Sequence, residues 1–190
     1  MNRREAIHAL STGVLAGGAV AASDPPGVSA GKLRAKWIAW CADDFVVDLW
    51  HNGRVVPVAQ RSLIHEIYGA TVERAEVALK AGDWLVFHVV HNRMRWNGCK
   101  FFGMVGMAAE NEASLVSTNG KEWSAADFAM DAFRFIRERD YLKDKPAKLI
   151  PLESLWDQGY SRLHELCGGK WHGTPIWGEA ASCWLKLRVE

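Results

Sequence analysis

Residues 37–53 read WIAWCADDFVVDLWHNG, and this stretch decides how the chain folds. Two apolar segments with alternating side chains flank the acidic pair Asp43-Asp44, and the stretch ends in Asn52-Gly53. Alternation with a period of two is typical of β-strands, and an Asn-Gly pair favours a tight hairpin turn with positive φ at both residues. The stretch therefore predicts two strands joined by an acidic corner and followed by a turn that returns the chain. The carboxylates of the corner are expected to face solvent at a turn or to accept hydrogen bonds from backbone N–H groups.

The rest of the chain repeats the strand pattern. Residues 84–91, WLVFHVVH, are apolar on both faces and rich in β-branched and aromatic side chains, as in a strand inside a sandwich. Residues 71–79 and 101–107 also show strand character, and residues 182–189 are expected to form the closing strand. These segments predict a mainly β fold.

Helical periodicity is confined to the region around residues 124–166. Ser124 and Asp127 fit a capping box, and apolar side chains then recur at helical spacing through residue 141. Residues 155–167 fit either a second short helix that ends at Gly168-Gly169 or irregular structure. We therefore expect one or two helices inserted into the β fold.

The first 22 residues have the features of an export signal. Arg3-Arg4 precede a weakly apolar segment rich in glycine and alanine, and residues 19–21 fit a cleavage site. The adjacent arginines resemble a twin-arginine signal. The interpretation is a signal peptide at 1–22, a flexible entry segment at 23–32 and a single domain at 33–190. It predicts a periplasmic or extracellular protein with no stable membrane span after the signal is removed; the alternatives are a helix of the fold or a retained anchor.

The charge balance argues against nucleic acid as a partner, and the sequence contains no common cofactor or catalytic motif. The net charge is +1, from 23 basic and 22 acidic residues, which provides no field to attract nucleic acid. Nothing in the sequence indicates a cofactor. The chain has no P-loop, no G-x-S-x-G and no H-E-x-x-H motif.

The cysteines and histidines do not predict a metal site. The four cysteines, Cys41, Cys99, Cys167 and Cys183, show no C-x-x-C spacing, and two disulfides or buried thiols are both compatible with them. His88 and His91 lie three residues apart on a predicted strand, so their side chains point to opposite faces and are expected to be structural. Asp43 and Asp44 are adjacent and should diverge on an extended chain.

The candidate binding residues lie on the loop that follows residue 91. Arg93, Arg95, Trp96 and Asn97 are clustered there, and an aromatic ring beside guanidinium and amide groups can stack on a sugar and bond its hydroxyls. Trp50 is a further candidate among the 10 tryptophans. The alternative is that Trp96 folds over a sheet edge and the other tryptophans fill the core. A platform shared by Trp50, Trp96 and Trp171 would distinguish the two.

Several of these motifs together resemble the galactose-binding-like domains of bacterial exported proteins, which also occur in rhamnosidase-type glycosidases. The resemblance is carried by Ala42-Asp43-Asp44, the strand that ends in Asn52-Gly53, the segment 77–92, and Gly103 with Gly106, and more loosely by residues 171–190. It implies an antiparallel jelly-roll β-sandwich with the ligand site on variable loops. The region 124–166 departs from the family pattern.

Three functions follow as hypotheses. The first is an exported non-catalytic carbohydrate-binding or adhesive domain that uses Arg93, Arg95, Trp96, Asn97 and Trp50. The second is a periplasmic protein-interaction module that binds an envelope protein and has no sugar site. The third is an exported glycoside-acting hydrolase, although neither the neighbouring residues His65-Glu66 nor His164-Glu165 have a nucleophile nearby in sequence.

Overall fold

The computed structural model describes residues 31–67, 70–91, 100–109, 112–119, 121–141, 143–151, 158–171 and 173–190. The strands within these ranges are β1 Leu33–Ala35, β2 Trp37–Asp43, β3 Phe45–His51, β4 Arg54–Val55, β5 Arg61–Ile67, β6 Ala70–Ala75, β7 Leu79–Lys80, β8 Trp84–Val90, β9 Phe102–Ala109, β10 Glu112–Ser117, β11 Trp123–Ala126, β12 Lys145–Pro146, β13 Lys148–Leu149, β14 Ile176–Trp177 and β15 Ser182–Arg188. The helices are α1 Ala129–Arg137 and α2 Gln158–Leu166, and Val58–Gln60 form a 3-10 turn. The predicted signal at 1–22 lies outside the described residues.

The strands form a mainly β antiparallel sandwich, which confirms the predicted fold class. The first sheet has the order β13-β14-β9-β2-β6-β5, with β10 also paired to β9. The second sheet has the order β12-β11-β15-β8-β3-β4, and β1 pairs with β7 separately. Both helices lie within the region 124–166, as predicted. The predicted closing strand is present as β15, and it lies inside its sheet, because it pairs with β8 on one side and β11 on the other.

The side chains of β2 alternate between two cores. Ile38, Trp40 and Ala42 point between the sheets, where they join a cluster that includes residues of β8 and β15. Ala39 and Cys41 point to the outer face of the first sheet, where they pack with Leu163 and Cys167 of the α2 region. β2 is therefore buried on both faces because the second sheet covers one face and α2 covers the other.

Arg61 of β5 connects the first sheet to the second. Its guanidinium group forms a bidentate pair with Glu73, with Nε and Nη2 each 2.8 Å from a carboxylate oxygen. The same group donates to the carbonyl of Val46 on β3 at 2.6 Å and to that of Val47 at 3.0 Å. Because all of these contacts are made by one planar group, they fix the separation of the two sheets along this edge.

Asn52 and Gly53 form the predicted turn, with φ of 51° and 73°. The Asn52 side chain also reaches the start of β8, where its Oδ1 accepts from the Trp84 N–H at 2.9 Å and its Nδ2 donates to Asp83 at 2.8 Å. Burial acts to raise the pKa of Asp83, but hydrogen bonds from Asn52, the Lys80 N–H and His51 outweigh it and hold the pKa below its usual value. Asn52 thus ties its turn to a neighbouring strand.

The helix predicted from residue 124 begins later, at Ala129, and the predicted capping box is wrong. Residues 123–126 are strand β11, paired with β15, and the residue before the helix is Phe128, which makes no side-chain capping bond. Asp127 has another role, since its Oδ1 accepts from the backbone N–H groups of Glu179 and Ala180 at 2.7 and 3.0 Å. Pairing with β15 on one side and β12 on the other holds these residues extended, so tertiary context overrides the local signal.

Cys41, Cys167 and Cys183 are buried thiols, and Cys99 lies outside the described residues. Burial raises the pKa of Cys167 to about 11 and that of Cys183 to about 12. Both thiols are therefore protonated at neutral pH, which is typical of structural cysteines. None of the helices in the described ranges is both long and apolar enough to cross a membrane.

Candidate functional site

Asp43, Asp44 and His91 come together where the chain crosses from one sheet to the other. Asp43 ends β2 in the first sheet, Asp44 is the crossing residue, and His91 follows β8 in the second sheet. All three are buried. One potential metal-ligand atom of each side chain, a carboxylate oxygen or a ring nitrogen, lies within 4.8 Å of the other two.

Backbone hydrogen bonds hold these residues in place. The N–H of Asp44 donates to Val90 of the second sheet at 3.0 Å, and the Asp44 carbonyl accepts from the Thr71 N–H of the first sheet at 3.1 Å. The Thr71 hydroxyl donates to the same carbonyl at 3.0 Å. The N–H of Asp43 donates to Phe101 and that of His91 to Ala181. The three side chains therefore start from a backbone that is fixed by both sheets.

The two carboxylates converge, contrary to the prediction that they diverge into a solvated corner. Asp43 is 8% exposed and Asp44 is 3% exposed. The peptide bond between them is cis. The alternation of an extended strand does not extend across this pair, because Asp43 belongs to the ladder of β2 while Asp44 bonds to both sheets.

His91 directs a ring nitrogen toward the carboxylates. Its Nδ1 lies 3.9 Å from Oδ2 of Asp43, and its side chain is only 5% exposed. At that separation the contact is too long for a hydrogen bond. The Nδ1 atom makes no hydrogen bond to any residue that the structure describes.

His88 is placed differently, in agreement with the prediction that it does not share a site with His91. Its ring stacks on Trp184 with centroids 4.4 Å apart, and its Nε2 lies 2.9 Å from the Ser182 hydroxyl. Burial lowers the pKa of His88, while Asp48, with a carboxylate oxygen 3.8 Å from Nδ1, acts in the opposite direction. The neighbours of the His88 ring are therefore a stacked tryptophan, a hydroxyl group and the half-exposed carboxylate of Asp48.

A second candidate site is an open polar groove at the β5–β6 edge of the first sheet. Arg74 of β6 is opposite both Ala39 of β2 and Ser62 of β5 in the ladder. Cross-strand neighbours share a face. Because Ala39 points to the outer core, Arg74 and Ser62 also lie on the outer face. The groove occupies this face beside the region covered by α2.

The groove has a volume of about 410 Å³ and is lined by Ala59, Gln60, Ser62, Arg74 and Glu76. The guanidinium carbon of Arg74 lies 5.6 Å from the centroid of the half-buried Trp37 ring, within the range of a cation–π contact. Gln60, Ser62 and Glu76 are exposed. An amide, a hydroxyl, a guanidinium and a carboxylate thus face the same open space.

The predicted binding residues Arg93, Arg95, Trp96 and Asn97 lie outside the described residues. The segment that contains them begins directly after His91. Trp50 is half-buried and packs against the cluster of Val86 and Phe135 beneath α1. Trp171 is 2% exposed and belongs to the outer core of the first sheet, so Trp50 and Trp171 do not form a shared platform.

The sequence pattern indicates neither the groove residues nor the convergence at Asp43. Arg74 and Glu76 are polar positions of a predicted strand, and Gln60 and Ser62 precede it in a segment of mixed pattern. Asp43-Asp44 belong to a predicted corner, and His91 ends a different predicted strand. Their proximity depends on the pairing of distant strands, for which the local pattern contains no direct signal.

No protein-family model, curated protein or solved structure matches this chain.

Proposed function

We propose that this protein is an exported, non-catalytic carbohydrate-binding domain. The observation that supports the proposal most is the polar groove at Gln60, Ser62, Arg74 and Glu76. The mainly β sandwich and the sequence resemblance to galactose-binding-like domains support the same class of function. The signal-like residues 1–22 support export to the periplasm or the cell surface.

The groove offers the chemistry that a sugar requires. Sugar hydroxyls both donate and accept hydrogen bonds, and the lining contains a donor-only group in Arg74, an acceptor-only group in Glu76, and groups of both kinds in Gln60 and Ser62. Because the groove is open to solvent, the expected affinity is modest. The ligand displaces water from groups that are already hydrated.

The test is a titration of purified protein with a panel of glycans, followed by the double variant Gln60→Ala with Glu76→Ala. We expect the double variant to bind about 5- to 150-fold more weakly, because two ligand hydrogen bonds together contribute on the order of 1–3 kcal/mol. Both residues are exposed, so the thermal unfolding midpoint should stay close to that of the wild type. Glu165→Ala, an exposed carboxylate on α2, is the matched control and should bind normally.

The segment 92–99, which carries the binding residues predicted from the sequence, is the second place where a sugar could bind. The double variant Arg95→Ala with Trp96→Ala distinguishes it from the groove. Weakened binding in the Arg95→Ala, Trp96→Ala variant with normal binding in the groove variant would place the ligand on the segment 92–99. Absence of binding to every glycan at millimolar concentration would contradict the proposed function.

A protein partner is the second candidate function, and the exposed face of α1 favours it. Phe128, Met130 and Phe133 are 68%, 95% and 64% exposed. Met130 and Phe133 are three residues apart, so they lie on the same side of the helix. Adjacent exposed apolar side chains of this size are typical of interaction surfaces.

Phe133→Glu should reduce capture of an envelope protein at least about tenfold, because a charge at the centre of an apolar contact is costly to desolvate. Pull-down from envelope extract, quantified against the wild type, measures the effect. Val58→Glu is the control, since Val58 is 73% exposed and lies on a different part of the fold. Equal capture by the wild type and Phe133→Glu would exclude α1 as the interface.

A further inference from the structure

We propose that Asp43, Asp44 and His91 bind a divalent transition-metal ion, with one carboxylate oxygen from each aspartate and Nδ1 of the histidine as ligands. This inference is independent of the sugar site. It concerns the crossing point between the sheets, which is at the opposite end of β6 from the groove: Thr71 bonds to Asp44, while Arg74 lines the groove.

The state of His91 is the strongest evidence for an ion. Its side chain is 5% exposed, and Nδ1 makes no hydrogen bond to a described residue although it lies among polar atoms. A buried ring nitrogen without a hydrogen bond is energetically costly. An ion between Nδ1 and the carboxylates would be bound by the nitrogen lone pair, and it would explain why the ring points toward the carboxylates.

The two carboxylates supply the other ligands. Asp43 and Asp44 are both buried, and one oxygen of each lies within 4.8 Å of the other and of a ring nitrogen of His91. Carboxylate oxygens are ordinary ligands of divalent metal ions, and two of them beside an imidazole nitrogen form a mixed oxygen and nitrogen ligand set.

The spacing needs only a small adjustment to coordinate an ion. Ligands bound at about 2.1 Å to a tetrahedral ion are about 3.4 Å apart. The distance from Nδ1 to Oδ2 of Asp43 is 3.9 Å, so a small rotation of the carboxylate, which moves Oδ2 by a few tenths of an ångström, brings the two atoms to the spacing of metal ligands. Because the backbone of all three residues is fixed by both sheets, the ligands are already oriented.

The ligand set identifies the class of ion. Imidazole with carboxylates suits Zn²⁺, Mn²⁺ and their neighbours, while Ca²⁺ prefers six to eight oxygen ligands. Three protein ligands leave one or more positions for water or another group. Asp44 bonds to both sheets, Asp43 ends β2 in the first sheet, and His91 directly follows β8 in the second. The ion would therefore also link the two sheets.

The experiment uses the full chain, expressed without a histidine tag and stripped with EDTA. After dialysis against Zn²⁺ or Mn²⁺ we expect one ion per chain by elemental analysis, and an increase in the unfolding temperature that depends on ion concentration. Asp43→Asn and His91→Gln should each weaken metal binding by at least about 100-fold. Substitution of a residue that only hydrogen-bonds to a ligand typically weakens metal binding by about 10- to 100-fold. Ca²⁺ should bind far more weakly than Zn²⁺.

Asp48 and His88 provide the matched control. They are also an aspartate–histidine pair, 3.8 Å apart, but Asp48 is half-exposed and His88 has Trp184 and Ser182 as neighbours. Asp48→Asn and His88→Gln should therefore bind metal like the wild type. If uptake falls equally in these variants and in His91→Gln, the proposed site is wrong.

A measurement on the wild type keeps the proposal testable if the ligand variants do not fold. Mn²⁺ is paramagnetic and broadens NMR signals close to it. At one equivalent it should broaden the resonances of Asp43, Asp44 and His91 and leave those of Asn52, which lies beyond the opposite end of β3 from Asp44, unchanged. Failure to take up Zn²⁺, Mn²⁺ or Co²⁺ at millimolar concentration, or broadening centred elsewhere, would overturn the proposal.

Discussion

Phe87→Ala is expected to lower the free energy of unfolding by about 3–5 kcal/mol, the range for removal of a large buried aromatic side chain. Phe87 is fully buried between the sheets and contacts three other aromatic rings. Its centroid lies 5.6 Å from Trp40, 4.8 Å from Phe102 and 6.0 Å from Trp123. The cavity would open where both sheets contribute side chains, so neither sheet can fill it without moving away from the other.

Urea unfolding monitored by circular dichroism measures the effect. Phe87→Leu is the matched control, and it should lose less than half as much because it keeps most of the apolar volume. A loss below about 1 kcal/mol for Phe87→Ala would show that this aromatic cluster is not the centre of the core.

Asp144→Ala is expected to destabilise the protein by about 3–5 kcal/mol, because it leaves a buried cation without its carboxylate. Lys186 is fully buried on β15, with Nζ 3.3 Å from Oδ2 of Asp144 and 4.1 Å from the Phe135 ring centroid. The ammonium group also donates to the Glu138 carbonyl just beyond α1 at 2.8 Å. Arg188 shares the same carboxylate oxygen at 2.7 Å.

Burial is the largest influence on both partners of this pair. It raises the pKa of Asp144 although Lys186 and Arg188 act to lower it, and it lowers the pKa of Lys186 although Asp144 acts to raise it. Desolvation therefore outweighs the attraction for each group. Such a pair adds little net stability while it is intact, but loss of one partner exposes the full desolvation cost of the other.

Lys186→Met is the informative comparison. It removes the buried cation, fits the apolar surroundings, and leaves Asp144 paired with Arg188. We expect it to lose less than half of the stability that Asp144→Ala loses. Equal losses, measured by urea unfolding at pH 7, would mean that the direct contact and not the uncompensated charge determines the effect.

The elements that follow from local chemistry were predictable from the sequence. Residues 84–91 gave strand β8 within one residue, since β-branched and aromatic side chains with no turn residue leave few alternatives. Asn52-Gly53 gave the turn because both residues tolerate positive φ. Of the two alternatives for residues 155–167, the structure shows the short helix, which ends at Leu166, and Gly168 and Gly169 beyond it have positive φ.

The predictions failed where distant residues compete with local preference. Ser124 and Asp127 fit a capping box, but pairing with β15 makes residues 123–126 a strand, and Asp127 binds the turn at Glu179. The central position of β15 was also not predictable, because its alternation is compatible with an edge as well as with the middle of a sheet.

By itself, the sequence determined that this protein is a mainly β sandwich with helices near residues 124–166, and it located individual elements such as strand β8 and the turn at Asn52-Gly53. Only the tertiary structure decided what those strands bring together: the groove between Ser62 and Arg74, and the cluster of Asp43 and His91. The physical reason is range. Alternation and turn chemistry depend on residues a few positions apart. The positions of Asp43 and His91 depend instead on the pairing of β2 with β9 and of β8 with β3, which joins residues far apart in the chain.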